Sequence, residues 1–156
     1  MSDAYEIREA RLSDLPALVR HRELLFEEMA VGDVAGRARM AESCRAYLAS
    51  ALQDGSFRAW LATLPDGTVV GGAALILSPW PGNPLNPLCR RADVLNVYVD
   101  PGHRRRGLGL RLMEAVLGFC RAHGLGRVSL HASQQGRPLY ERLGFKPTNE
   151  MRLEFH

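Results

Sequence analysis

The spacing of apolar positions along this chain changes period several times, and each change marks an element. Tyr5 to Ala10, "YEIREA", predicts a short strand. Ser13 stands where a helix N-cap would, and Pro16 is tolerated in a first helical turn. Leu15, Leu18, Val19, Leu25, Phe26 and Met29 then recur at spacings of three, four and seven, which places them on one helix face. Gly32 and Gly36 bracket a turn. A second helix is expected from about Arg37 to Gln53, with Met40, Cys44, Tyr47, Leu48 and Ala51 on its apolar side and "DGS" as its stop.

The period then becomes β-like. "FRAWLATL" and "TVVGGAALIL" are two strands joined by the hairpin signal "PDG". "SPWPGNPLNPL" is too rich in proline to continue a sheet and reads as an exposed loop. In the next strand, "DVLNVYVD", alternation puts Leu95, Val97 and Val99 on one face and Asn96 and Tyr98 on the other. Leu108, Leu112, Val116, Phe119 and Cys120 mark a helix ending at "HGLG". "RVSLHAS" is a strand, "GRPLYERLGF" holds a short helix, and Phe145 to Phe155 supply terminal strand material. The order β-α-α-β-β-β-α-β-α-β-β has no linker and no repeat. It predicts one α/β domain over residues 1–156, built on a mixed sheet.

Composition narrows the class. Hydrophobic residues make up 46% and charged residues 24% of the chain, as in water-soluble globular domains. No apolar run approaches the ~20 residues that span a bilayer, so no membrane partner is expected. The opening stretch carries acids and lacks the apolar segment of a secretory leader. Cys44, Cys89 and Cys120 are odd in number and widely spaced, without the pairing of a zinc site. They read as reduced thiols of a cytoplasmic protein, with no metal. The net charge of +3 is carried almost wholly by arginine, Lys146 being the only lysine. It permits an anionic ligand without requiring nucleic acid.

The chemistry concentrates at "NVYVDPGHRRRGLGLRLM", residues 96–113. A strand runs into a glycine-rich turn and then a helix. The first amides of a helix have no intrahelical acceptor, and the helix dipole is positive there. Glycines at 107 and 109 remove side chains that would hold an anion away from those amides. Three arginines at the positive end of a dipole are easier to account for if an anion binds. The pattern is neither a P-loop, since no Gly-Lys-Ser/Thr follows, nor the Gly-x-Gly-x-x-Gly of dinucleotide folds. What remains is Arg104-x-x-Gly107-x-Gly109 after a strand ending in Val-Asp-Pro.

This arrangement resembles the pyrophosphate motif of the GNAT superfamily of acyl-CoA-dependent N-acyltransferases, Arg/Gln-x-x-Gly-x-Gly/Ala at the same junction. A second stretch, "LHASQQGRPLYERLGF", is similar to the family's later motif, Asn-x-x-Ala-x-x-Leu-Tyr-x-x-x-Gly-Phe. Leu139, Tyr140, Gly144 and Phe145 match in spacing, while Ser133 replaces the usual Asn and Gly136 the usual Ala. The resemblance implies a mostly antiparallel sheet flanked by helices, with strands Val94–Val99 and Arg127–Ala132 splayed around acetyl-CoA. The pantetheine arm would lie along Val97, Tyr98 and Val99, using the exposed backbone of Val97 and Val99. The pyrophosphate would take amides of Arg105, Arg106, Gly107, Leu108, Gly109 and Leu110, with Arg104 nearby and Ser133 on the opposite motif. Tyr140 would be the general acid for the departing thiolate.

Asn96 is a candidate for orienting the amine acceptor. Candidates for the base are His21, Glu27, Glu28, His131 or a water chain. Arg22 either snorkels from its helix or faces an anionic acceptor. Residues 79–90 are either a lid over the acceptor or a plain connection. A homodimer is compatible with the family. Three rival readings accompany an N-acetyltransferase acting on a primary amine of a small molecule: a protein or peptide N-acetyltransferase, an acyl-CoA-binding sensor without catalysis, and a nucleic-acid-binding module built on "HRRR". The last lacks aromatic interleaving and an extended basic face.

Overall fold

The computed structural model describes residues 4–155. A five-stranded sheet in the order β1-β2-β3-β4-β5 is covered by helices on both faces. In chain order these are β1 (Glu6–Glu9), α1 (Leu15–Glu28), α2 (Val34–Asp54), β2 (Phe57–Thr63), β3 (Val69–Pro79), β4 (Arg90–Val99), α3 (Leu108–Ala122), β5 (Val128–Leu130) and α4 (Arg137–Arg142). The first four strands are antiparallel neighbours; β5 joins β4 in parallel.

Because both faces are covered, β2 and β3 are apolar almost throughout. Trp60, Ala62, Val70, Ala73, Leu75 and Leu77 pack toward α3 with Leu112, Met113 and Val116. Phe57, Ala59, Leu61 and Ala74 pack toward α1 and α2 with Leu18, Val19 and Leu48. Gly72 lets α1 come close, since a Cβ there would lie 3.0 Å from Nδ1 of His21.

Local chemistry moves several expected boundaries. Ser13 is not a cap: it sits in a 3₁₀ turn, Leu12–Asp14, that leads into α1. Asp14 organises this corner, accepting from both Arg8 guanidinium nitrogens and from the Arg11 amide, each at 2.8 Å. The second helix starts three residues earlier than its apolar period suggests. Asp33 caps it by accepting the Gly36 amide at 2.7 Å, so Gly36 lies inside the first turn. Strand β4 starts at Arg90, so the proline-rich connection is shorter than its composition implies. It closes on itself through paired backbone bonds between Asn83 and Asn86.

Two expectations for strands need correction. Asn96 has φ +55°, and the β3–β4 register slips there, from Gly72 opposite Tyr98 to Ala74 opposite Leu95. The extra residue is a β-bulge, and it reverses the alternation. Val97 and Val99 join the α3-side core with Ala92 and Val94, whereas Leu95 joins the α1/α2 side. Leu95, Val97 and Val99 therefore do not share a face, although Asn96 and Tyr98 both meet α1. The second correction concerns Phe145–Phe155, which form no strand among the described residues. Beyond the Phe145 amide, which closes α4, their backbone finds no backbone partner there.

Candidate active site

The parallel pairing of β4 and β5 covers only Ala92–Val94 against Val128–Leu130. Beyond Val94 the two strands part, and that edge of β4 is open. The Asp100 amide donates to Val70 at 2.8 Å. In an antiparallel ladder the bonding direction alternates, so Val99 turns its amide and carbonyl to the open edge. A cavity of about 300 Å³ lies against it, and Val97, Tyr98, Val99, Arg104, Arg105, Gly109, Ser133 and Tyr140 all line it. Arg104, Arg105 and Gly109 of the first motif thus face Ser133 and Tyr140 of the second across one cleft, while Arg106, Gly107, Leu108 and Leu110 do not line it.

The floor of the loop is built from strained backbone. Arg105 has φ +62° and Gly107 φ +76°, and α3 begins at Leu108 with no side-chain cap. Among the described residues, the amides of Arg105 through Leu110 have no backbone acceptor. The Leu108 side chain is buried in the core, so only its main chain is available to a ligand. The Arg105 and Arg106 side chains are exposed. Unpaired amides at a helix start, with cations beside them, fit the charge and shape of a diphosphate. That fit belongs to the backbone; no group of metal-ligating side chains occurs among the described residues.

Arg104 is drawn away from the loop toward the strand. Its Nε donates to the Val99 carbonyl at 2.7 Å, its guanidinium pairs with Glu28 at 2.5 Å, and it lies 5.6 Å from the Tyr98 ring centroid. Ser133 accepts the Gly136 amide on its hydroxyl at 3.0 Å, so it shapes the turn into α4 while forming part of the wall.

Tyr140 is buried in α4 beside Gly136, whose Cβ, if present, would lie 2.9 Å from the tyrosine ring. The glycine that departs from the family pattern therefore makes room for this side chain. Burial raises the Tyr140 pKa, which keeps the phenol protonated. Its hydroxyl has no hydrogen-bond partner among the described residues. A protonated, unpaired phenol lining a cleft is equipped to donate.

Other candidates lie elsewhere. Asn96 does not line the cleft; its Oδ1 accepts from Arg22 Nη1 at 2.7 Å on the α1 side. Arg22 also lies over the Phe26 ring at 5.0 Å. His21 is buried against Tyr98, ring centroids 5.1 Å apart, and desolvation lowers its pKa to about 4. It is a neutral packing group in the ordinary pH range. His131 is exposed and contacts Glu150 and Arg152. Leu25, Gln135 and Leu139 line the cleft without having been singled out as site residues. Leu25 reads only as an apolar helix position in the sequence, Leu139 belongs to the later motif without a site role, and no local signal marks Gln135.

Comparison with known proteins agrees with this geometry. The family model described as acetyltransferase (GNAT) family matches residues 20–145. The crystal structure of a GCN5-related N-acetyltransferase from Ralstonia eutropha JMP134 superposes with a TM-score of 0.89 at 38% identity, over 97% of this chain and 98% of that one. The glucosamine 6-phosphate N-acetyltransferase of Trypanosoma brucei brucei is 34% identical over 91 residues, 58% of this chain and 60% of that protein. The streptothricin acetyltransferase of Streptomyces lavendulae is 31% identical over 96 residues, 60% of this chain and 47% of its own length. The matched stretches thus span about half of these curated relatives. With the family's two motifs facing each other across the open edge of β4, the chain belongs to the acetyltransferase (GNAT) family.

Proposed function

We propose that residues 1–156 act as a single N-acetyltransferase domain that moves the acetyl group of acetyl-CoA to a primary amine of a small molecule. One observation carries this reading: Arg105 and Gly109 from the run of unpaired amides at the start of α3, the free edge of β4, and Tyr140 all line the same cleft. The amides of Arg105, Arg106, Gly107, Leu108, Gly109 and Leu110 hold the diphosphate. The edge at Val97–Val99 pairs with the amide groups of the pantetheine arm, and Arg104 must release the Val99 carbonyl for that pairing to be complete.

The transfer forms a carbon–nitrogen bond and breaks the carbon–sulfur bond of the thioester. The neutral amine attacks the thioester carbon and the departing thiolate takes the proton of Tyr140; the proton that the nitrogen sheds passes to water, and the phenoxide regains its proton through water. Alkylamines are mostly protonated near pH 7, so the acceptor must lose a proton before attack. Asn96, held by Arg22, fixes the bulge that aims the Val97 backbone at the developing oxyanion. An amine on a small molecule is favoured by the names of the two curated relatives, one acting on an amino sugar phosphate and one on streptothricin.

Thiol release from acetyl-CoA, measured over a panel of amino sugars, polyamines, amino acids and peptides with free N-termini, tests the reading. One small-amine class is expected to raise release well above the blank. Tyr140→Phe should lower kcat by roughly a hundredfold or more, leaving acetyl-CoA affinity little changed. Undiminished turnover in Tyr140→Phe removes Tyr140 from the mechanism. If no amine raises release although acetyl-CoA binds, the chain is an acyl-CoA-binding protein without transfer activity.

A further inference from the structure

Arg22 is a half-buried cation with no carboxylate beside it among the described residues. Side chains three and four residues apart on a helix are neighbours, and those positions around Arg22 on α1 are Leu18, Val19, Leu25 and Phe26. No acid of its own helix stands at that spacing. Arg8, Arg58, Arg91 and Arg104 are half-buried too, and each pairs with a carboxylate, of Asp14, Glu9, Asp93 and Glu28 respectively. Arg22 instead meets a neutral amide and a ring. Its Nη1 donates to Oδ1 of Asn96 at 2.7 Å, and its guanidinium lies 5.0 Å from the Phe26 ring centroid.

These contacts fix the guanidinium. Asn96 is itself buried, 8% exposed, at the bulge of β4. Its carbonyl oxygen takes one N–H of the fork, and Phe26 flanks the plane. The remaining donors and the whole positive charge are left over. An arginine free of such contacts carries its charge out into water. This one is held against the sheet by a buried acceptor, where a charge without a counter-ion is least favourable. A fork held in place with its charge uncompensated suits an oxyanion, carboxylate or phosphate, taken through paired hydrogen bonds.

Its position says whose anion that is. The unpaired amides for a diphosphate lie at the start of α3, and Arg22 does not line the cleft they border. Yet Asn96 is bonded to Val97, and Leu25 is one turn along α1 from Arg22; both Val97 and Leu25 line that cleft. An anion on Arg22 is therefore held on the α1 side of β4, next to the backbone that faces the thioester. We propose that Arg22 is a specificity-determining residue that binds a carboxylate or phosphate of the amine acceptor, with Asn96 as its positioning residue. The proposal rests on the acetyltransferase reading for the acceptor's amine, and it narrows the small-molecule class to amines that carry an anionic group. Polyamines lack that group and are repelled by the same charge.

NMR of the arginine Nε groups in the CoA-saturated chain tests the site, with Arg22→Lys assigning the signal. CoA fills the diphosphate loop, so an added oxyanion cannot report from there. Inorganic phosphate, acetate, and the pairs glucosamine 6-phosphate with glucosamine and leucine with leucinamide are added at constant ionic strength. The Arg22 signal should move with at least one oxyanion and, within a pair, at about tenfold lower concentration of the charged member. Phosphate acting without acetate, or acetate without phosphate, identifies the group. In turnover, the kcat/KM ratio of charged to neutral member should fall about tenfold or more in Arg22→Gln and partly return in Arg22→Lys. A general loss of activity cancels from that ratio. An Arg22 signal that no oxyanion moves overturns the proposal, as does an anion preference that Arg22→Gln retains. Failure of CoA to bind, or of every amine to react, removes the acetyltransferase reading instead, and the phosphate and acetate titrations still decide the anion site.

Discussion

Single residues in this protein are defined by what they lose on burial. His21 gives up water for the Tyr98 ring and the close backbone at Gly72, and its pKa falls to about 4. The unfolded chain takes up that proton near 6.5, so between 6.5 and 4 the unfolded state binds more protons and acid favours it. The stability contributed by neutral His21 is intact above pH 6.5 and is lost as pH falls toward 4. The whole effect amounts to about 3 kcal/mol. Denaturant melts from pH 7 down to pH 4.5 should therefore show a steeper loss in the native chain than in His21→Leu. Equal slopes would mean that His21 is hydrated in the folded protein. Tyr140 carries the opposite consequence of the same physics: burial raises its pKa and preserves the proton that the proposed reaction needs.

Elements are set by caps, bulges and glycines more than by apolar period. Two glycines of one helix region make the point. Gly107 precedes α3 at φ +76°, and Gly118 lies within α3 in ordinary helical backbone; a Cβ would meet nothing within 4 Å at either. Space is thus equal and conformation differs. Gly118→Ala should stabilise the fold by about 0.5–1 kcal/mol, from helix propensity and reduced unfolded-state freedom. Gly107→Ala should cost about 1–2 kcal/mol and weaken acetyl-CoA binding, because relaxing φ rotates the amides that form the floor of the cleft. Urea melts and acetyl-CoA titration of the two variants check both signs. Asn96 shows the same principle on a strand: one residue in the left-handed region moves Val97 and Val99 to the α3 side and leaves Asn96 against Arg22.

For the whole molecule, the proposed ligand should act as a clamp, because its contacts come from β4, the start of α3 and α4 together. Acetyl-CoA at ~100 times its dissociation constant adds roughly 2.7 kcal/mol to stability. For a chain of this length that is a melting shift of roughly 5–10 °C. Absence of any shift would remove the cleft's assignment. Against nucleic acid, the guanidiniums of "HRRR" do not act as one patch: Arg104 is committed to Glu28 and Val99, while Arg105 and Arg106 flank unpaired amides. A gel-shift series should accordingly show only weak binding that vanishes as salt rises. No helix among the described residues is long and apolar enough to cross a membrane.

The element order through α4 and the two motifs were legible in the sequence because they rest on local rules: apolar period, turn chemistry, and glycines at a strand-to-helix junction. Val97, Val99, Gly109, Ser133 and Tyr140 could be named as one site from those motifs alone. Whether and where they converge is decided by the sheet, since β4 and β5 must pair at one end and part at the other. Pairing in space also decided what period could not. The bulge at Asn96 depends on β3 lying opposite, the bond between Asn96 and Arg22 on α1 packing across the sheet, and the absence of strands after Phe145 among the described residues on that segment's backbone pairing with no other, although the outer edge of β5 is open. The sequence determined which residues are equipped for strand, turn or anion; the tertiary structure decided their partners, because a hydrogen bond between distant segments has no local signature.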